Sequence, residues 1–477
     1  MEEIYRFRRI KNLLGEHQEL ERQEIYFATP TQLNDPMEGY RDIYWQGDVI
    51  VWENFLNNYL RCVAQVFLLY LVVGESKKLD VNDLPLYPYA LPNFVPQNEE
   101  LLNKAKTTFF KNKFIKVLPK TLGERRTPIR RRELLSYLGF VHHYALNAVS
   151  DIYHQAGLCA NRLFYHNLKD IDQMLSKVGF FAGLVNRMER ENPTVQNIAD
   201  LLFSVMDRVR KQTELAGKYN ALDSKALGSN VSFLLMGFQD HFLDKLETLM
   251  YPNWFSASFL ANCTNSAIWG HYAENHTGVC LIFSPTASDD GFQLQLRTEY
   301  GYSNAGPTIG MQPHTLRQVE YHNKHVAIDF FRSLGRGPGY QLNKLWYQND
   351  KGEISVCAEH LKQGNDKAWH KTYWGNFFHS VSVKLEEWAY EEEYRLILQD
   401  SFIDYSVDNS RKLAYDFKDL KGLIFGMKTP VADKLAIIRI IREKCTHAKR
   451  EGFDFYEAYY DQTTGKIGRQ KLDLLIK

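Results

Sequence analysis

The hydrophobic period of this chain changes twice along its length, and that change constrains the fold more than any single motif. From Glu99 to about Met250 apolar residues recur at steps of three and four. Leu134, Leu138, Val141, Ala145, Ala148 and Ile152 make one helical stripe. Val195, Ile198, Leu202, Val205 and Val209 make another, with Asn192 as expected N-cap and Pro193 in its first turn. Phe238, Phe242, Leu246 and Met250 extend one more. The flanks read differently. Residues 4–8 alternate like a strand, 12–22 are polar and helix-compatible, and 24–28 give a second strand. After Pro252, strand-like runs recur at 254–260, 278–283, 317–321, 394–398 and 423–425, with helices expected over 265–274 and 432–444. The expected fold is therefore α+β: one mixed α/β domain built from residues 1–40 and 251–477, split by an all-helical insertion over 41–250.

Composition narrows the function classes. Lys and Arg total 58 against 57 Asp and Glu, so any attraction to nucleic acid or a membrane must be local. The most apolar run, 62–73, is about half of what a bilayer crossing needs and is read as a core helix, so no membrane partner is expected. The opening Met1-Glu2-Glu3-Ile4-Tyr5-Arg6 does not read as a signal peptide. Six scattered cysteines without a C-x-x-C pair argue against a disulfide framework or a zinc site, and a reducing cytoplasm is the expected location.

Three segments stand out chemically. Tyr5-Arg6-Phe7 places a charge inside an apparent first strand. Phe255-Ser256-Ala257-Ser258-Phe259 is followed by Trp269-Gly270-His271-Tyr272-Ala273, His276 and Gly278-Val279-Cys280. Trp388-Ala389-Tyr390-Glu391-Glu392-Glu393-Tyr394-Arg395 packs three acids and an arginine into eight positions. Asn34-Asp35-Pro36 reads as a turn, because Asn and Asp bond their own backbone and Pro blocks helix before it; Glu38 beside it is a second carboxylate source for a pocket rim. His271 and His276 lie five apart and do not share a helix face as a metal pair four apart would, so no metal ligand set is expected there.

Together these segments resemble an uncharacterised bacterial domain family of unknown function seen near phage-defence genes. Its pattern is Y-R-F, then N-D-P-x-E, F-S-x-S, W-x-x-Y-A and W-x-Y-E-x-E-Y-R, and it stands here at 5–7, 34–38, 255–258, 269–273 and 388–395. The motif order is also similar to the Arg, Ser-x-Ser, Glu-x-Glu layout of ADP-ribosyltransferases, although the middle motif lacks their central Thr. That resemblance implies NAD as cofactor. It implies Arg6, Ser256, Ser258, Tyr272 and His271 around the dinucleotide, with Tyr272 stacking on nicotinamide. Glu393 is then the stabiliser of the oxocarbenium-like state and Glu391 the base that activates the acceptor, with the two roles interchangeable. If 391–395 is a strand, its period of two puts Glu391, Glu393 and Arg395 on one face.

One feature of the insertion stands apart. Residues 104–132 hold six Lys and five Arg against one acid, Glu124, with Phe109, Phe110 and Phe114 interleaved. Lys111, Lys113, Lys116, Arg125, Arg126, Arg130, Arg131 and Arg132 are the expected phosphate-contacting residues if the tract binds nucleic acid. The leading expectation is an NAD-dependent ADP-ribosyltransferase-like effector, or an NAD glycohydrolase, acting as a toxin in phage defence on a macromolecular target. A nucleic-acid-binding or metal-dependent nuclease effector is the second class, and a non-catalytic sensor or scaffold for a protein partner is the third.

Overall fold

A computed structural model describes residues 2–86, 96–160, 168–191, 196–223, 228–304, 306–361, 366–400 and 403–473. The expected cap at Asn192 and Pro193 lies outside these residues. The chain divides into two units: Met1–Arg41, Pro252–Val326 and Phe378–Lys477 form the first, Asp42–Tyr251 and Ala327–Phe377 the second.

The first unit is a mixed α+β body around one long curled sheet. Its strands follow the order Lys466–Leu472, Asp454–Asp461, Leu420–Phe425, Val279–Phe283, Ile4–Arg8, Trp254–Leu260, Glu393–Gln399, Gly306–Gln318, Gly291–Ser303, Lys412–Tyr415 and Glu24–Tyr26. Leu420–Phe425 and Asp454–Asp461 run parallel, joined through the helix Val431–Ala448, whose Ile437, Ile441 and Cys445 are buried. The other neighbours on this path are antiparallel.

Two features of this sheet make a cavity possible. The first is closure. Beyond Tyr26 the chain returns to the sheet, and Ala28 and Ser256 exchange backbone hydrogen bonds of 2.8 and 2.9 Å. The six strands from Trp254–Leu260 to Glu24–Tyr26 thus curl back on themselves around Phe27, Phe255, Phe259, Leu294, Leu316 and Leu396. Each such fully buried side chain contributes about 1.5–3 kcal/mol. The second is a parting. Ile4–Arg8 pairs with Val279–Phe283 at five positions but meets Trp254–Leu260 at Tyr5–Leu260 alone. Beyond that point the strands diverge.

The observed spans sharpen several expectations. The 317–321 run is not one strand. Its first part ends a long hairpin, Gly291–Ser303 with Gly306–Gln318, and Glu320–His322 leaves to pair in parallel with Val383–Leu385. The hairpin was hard to read because its outer positions are polar or exposed and Leu294 and Leu296 are among its few buried side chains.

The second unit contains the helices Val49–Val73, Pro96–Lys111, Lys113–Gly123, Arg131–Gln155, Leu168–Glu191, Gln196–Asp223 and Phe238–Glu247. It is not all-helical. Ala327–Asp329, Asp42–Trp45 and Ile129–Arg130 form a three-stranded sheet. Residues 327–377 therefore group here and not with the domain the sequence reading gave them. The reason is pairing and packing: Ile328 aligns with Ile43, and Asn54 and Asn58 donate to the carbonyls of Trp346 and Leu345 at 3.0 Å. Val49–Val73 is capped by Asp48, whose carboxylate accepts from Ile50 and Val51, and it buries Trp52, Phe55, Tyr59, Val63 and Phe67. Among the described residues it is the one helix long and apolar enough to cross a membrane, and half of its most apolar window is buried.

The basic tract is partly answered within this unit. Arg125 cannot be a nucleic-acid contact: its side chain is 2 % exposed and is held by Glu133, by Glu189 at 2.8 Å and by Thr127 at 3.0 Å. Arg130 pairs with Asp42 at 3.1 Å, and Arg131 with Asp244 at 2.5 Å and Glu247 at 3.6 Å. Spacing along the sequence could not show this, because most of these acids, Asp42, Glu189, Asp244 and Glu247, are distant in the chain. Lys111, Lys113, Lys116, Arg126 and Arg132 are exposed. Removing one side of a buried ion pair leaves an uncompensated charge, at a cost of about 3–5 kcal/mol. Arg125→Ala should therefore lower the unfolding free energy measured by urea denaturation by that order, whereas Lys113→Ala should leave it within about 0.5 kcal/mol. Equal effects of the two in chemical denaturation would refute the buried network.

Candidate active site

Where the strands part, the first unit encloses a cavity of about 850 Å³. Its lining includes Arg6, Ser256, Ser258, His271, Tyr272, Glu391 and Glu393, every pocket residue anticipated from the sequence. It also includes Asn34, Glu38, Lys384 and Trp388, together with Arg8, Arg9 and Lys11 on the opposite wall.

Arg6 sits in the gap itself. The strand's alternation buries Tyr5 and Phe7 in one cluster and sends Arg6 to the other face. There its guanidinium donates to the carbonyls of Ser258 and Tyr26, each at 3.1 Å, and lies 5.2 Å from the Phe259 ring centroid. Burial, reinforced by Arg8, pulls its pKa down to about 9, so it stays charged at neutral pH. Arg6 does not pair with either glutamate. It bridges the two sheet halves and still borders the cavity. On the facing strand Ser256 and Ser258 occupy the cavity side, while Phe255, Ala257 and Phe259 enter the core. The Ser256 hydroxyl is buried and has no hydrogen-bond partner among the described residues. Such an orphan costs about 1–3 kcal/mol unless something in the cavity satisfies it.

The floor is a buried charge cluster. Glu391 does not belong to the strand. It closes the short 3-10 helix Glu386–Glu391, and Glu392 turns the chain with φ +47° before the strand starts at Glu393. The turn nevertheless returns both carboxylates to one place. Lys384 reaches Glu391 and Glu393, each at 2.8 Å, and Glu38 at 3.5 Å. Arg395 holds Glu393 through Nε and Nη2, both at 2.9 Å, and meets Glu38 at 2.6 Å. All five side chains are at most 2 % exposed. Burial alone would raise Glu393, but Arg395 and Lys384 pull it down to about 2. Burial opposes the charge on Lys384 as well, and Glu393 and Glu38 together hold its pKa above the usual lysine value. Glu38 is shifted upward, since burial there outweighs Arg395 and Lys384.

Two motifs of the sequence bring the remaining side chains in. In the Asn34–Glu38 turn Asp35 accepts from the Met37 N–H at 2.8 Å. Gly39 follows at φ +68°, where a Cβ would stand 2.3 Å from the Trp254 ring; no other residue fits. The turn thereby sends Glu38 inward and Asn34 to the Tyr272 hydroxyl at 2.6 Å. Tyr272 in turn donates to Glu391, and burial together with that carboxylate raises its pKa well above the tyrosine range. His271 is exposed at the rim. His276 instead stacks on buried Trp269 with ring centroids 6.1 Å apart, and it lies outside the cavity lining.

Lys384 went unremarked in the sequence, although the signal resembles that at Arg6: a lone charge in the apolar run Val381-Ser382-Val383-Lys384-Leu385. Chemically the cavity is bipolar. Three carboxylates face two cations on its floor, and Arg8, Arg9 and Lys11 add basic groups to its lining. Arg8 is already paired with Glu19. Among the described residues Arg9 and Lys11 carry no ion pair.

Residues 268–396 match the family described as "Protein of unknown function (DUF2971)", in keeping with the motif-based resemblance to a family of unknown function. The matched stretch holds Tyr272, Lys384, Glu391, Glu393 and Arg395. No curated protein and no solved structure matches the chain.

The depressed pKa of Glu393 has a consequence for acid stability. Its ordinary value is 4.5 and its folded value about 2, so its contribution is complete above pH 4.5 and disappears as pH falls through 2. The urea midpoint of the wild type should fall over that window, and in Glu393→Gln the decline should be shallower. Superimposable acid limbs would contradict the ion-paired assignment.

Proposed function

We propose that this cavity binds NAD and that the protein is an ADP-ribosyltransferase-like enzyme, transferring ADP-ribose to a macromolecule or to water. The single observation that carries this reading is the convergence of Arg6, Ser256, Ser258, Tyr272, Glu391 and Glu393, from three distant parts of the chain, on one cavity of about 850 Å³. A volume of that size lies within the usual range for small-molecule sites. A curled antiparallel sheet parted at its middle also suits the ADP-ribosyltransferase-like layout.

Charge supports the choice of ligand. NAD carries a positive nicotinamide at one end and an anionic diphosphate in its middle. The carboxylate floor suits the first and the basic wall the second. Cleavage of the nicotinamide–ribose bond builds positive charge on the ribose, which fixed carboxylates stabilise. Glu393, kept ionised by Arg395 and Lys384, suits this electrostatic role. Glu391, less encumbered and bonded to Tyr272, suits the acceptor base. The Ser256 hydroxyl is available to a ligand hydroxyl or amide.

Purified protein incubated with NAD and a bacterial lysate should release nicotinamide, measured by mass spectrometry. Glu391→Gln and Glu393→Gln should each lower the rate on the order of 100-fold or more while the protein stays folded. The labelled fraction identifies the acceptor as protein, nucleic acid or water. A folded wild type that neither binds NAD nor releases nicotinamide would overturn the reading, as would wild-type rates in both variants.

A further inference from the structure

The strand Glu320–His322 has two faces with different work. Tyr321 turns inward, and its hydroxyl accepts from the Glu393 backbone N–H at 2.9 Å. Glu320 and His322 turn outward and are exposed. His379, also exposed, stands beside them. His322 Nε2 lies 3.1 Å from Glu320 Oε2, and His379 Nε2 lies 3.5 Å from the same oxygen. One ligand atom from each of the three falls within 4.8 Å of the others. Beyond one another, these side chains make no other ion pair or side-chain hydrogen bond among the described residues.

We infer that Glu320, His322 and His379 form a binding site for a divalent transition metal, zinc being the ion whose chemistry they fit. Two imidazole nitrogens and one carboxylate oxygen are a zinc donor set that leaves a position for water. Zinc ligands at about 2.0–2.2 Å in tetrahedral geometry stand roughly 3.4 Å apart. The separations of 3.1 and 3.5 Å bracket that value. Magnesium and calcium prefer oxygen-rich sets and are disfavoured by two imidazoles.

The position gives the metal a structural consequence. Glu320–His322 pairs in parallel with Val383–Leu385, and Tyr321 is aligned with Lys384. A metal held by Glu320, His322 and His379 ties the strand Glu320–His322, whose inward Tyr321 accepts from the Glu393 N–H and whose partner strand carries Lys384, to the C-terminal end of the helix Asp366–Ser380. The site is independent of what the cavity binds, and its test does not rely on turnover.

The full chain, stripped of metal with a chelator, would be titrated with zinc by calorimetry and equilibrium dialysis. The wild type should bind one zinc at this site and unfold at a higher temperature when loaded. Glu320→Gln should bind roughly tenfold or more weakly, and the double variant His322→Ala/His379→Ala should lose that zinc and the thermal shift. Both carry exposed substitutions, so circular dichroism should show an unchanged fold. Magnesium should give no saturable binding. No saturable zinc binding by the wild type would overturn the site, and so would unchanged stoichiometry and affinity in the double variant.

Discussion

Lys384 and Arg395 hold three carboxylates in the interior of the cavity-bearing unit, and the rest of the site is arranged around that network. Its members come from the turn at Asn34–Glu38, the strand Val383–Leu385, the 3-10 helix ending at Glu391 and the strand starting at Glu393. Each must stand where it does for the others to be tolerated, because one missing partner strands a charge in a low-dielectric site. Such a network is a poor route to stability, since packed apolar side chains of similar volume do as well or better. Its value lies in fixing the orientation of charge beside a space large enough for a ligand.

The space arises from a backbone decision. Ile4–Arg8 follows one neighbour along its full length and abandons the other after one pairing. Across the gap Arg6 meets the carbonyl of Ser258 on the parted strand, and that of Tyr26 on the strand beyond the closure, with one guanidinium. A residue singled out as a ligand clamp is thus also a brace. The two roles are compatible, since a clamp that is already held loses little freedom when a ligand arrives.

Legibility in the sequence followed the range of the interaction. Local periodicity announced the strands at Ile4–Arg8, Trp254–Leu260 and Val279–Phe283 and the helix Val431–Ala448. Motif chemistry singled out Arg6, Ser256, Tyr272, Glu391 and Glu393, and a single cavity collects them. What depends on distant partners stayed hidden. Arg125 read as a surface cation until Glu133 and Glu189 from separate helices enclosed it. Residues 327–377 changed unit because a three-residue strand pairs with Asp42–Trp45, a run too short to register. Lys384 was passed over because one lysine carries no pattern. The expected strand over 391–395 missed the left-handed turn at Glu392, which is occupied by a residue type that seldom adopts it.

The order of the strands also sets when the site can exist. Ile4–Arg8 lies in the middle of the sheet, between Val279–Phe283 and Trp254–Leu260. The floor residues follow still later, at Lys384 to Arg395. During synthesis Ile4–Arg8 must wait, unpaired, until Trp254–Leu260 and Val279–Phe283 have emerged. A chain that stops short of Arg395 lacks part of the cavity floor, and one that starts after Arg6 lacks the brace between its strands. The cavity is thereby a certificate that the stretch from Arg6 to Arg395 has been made and folded.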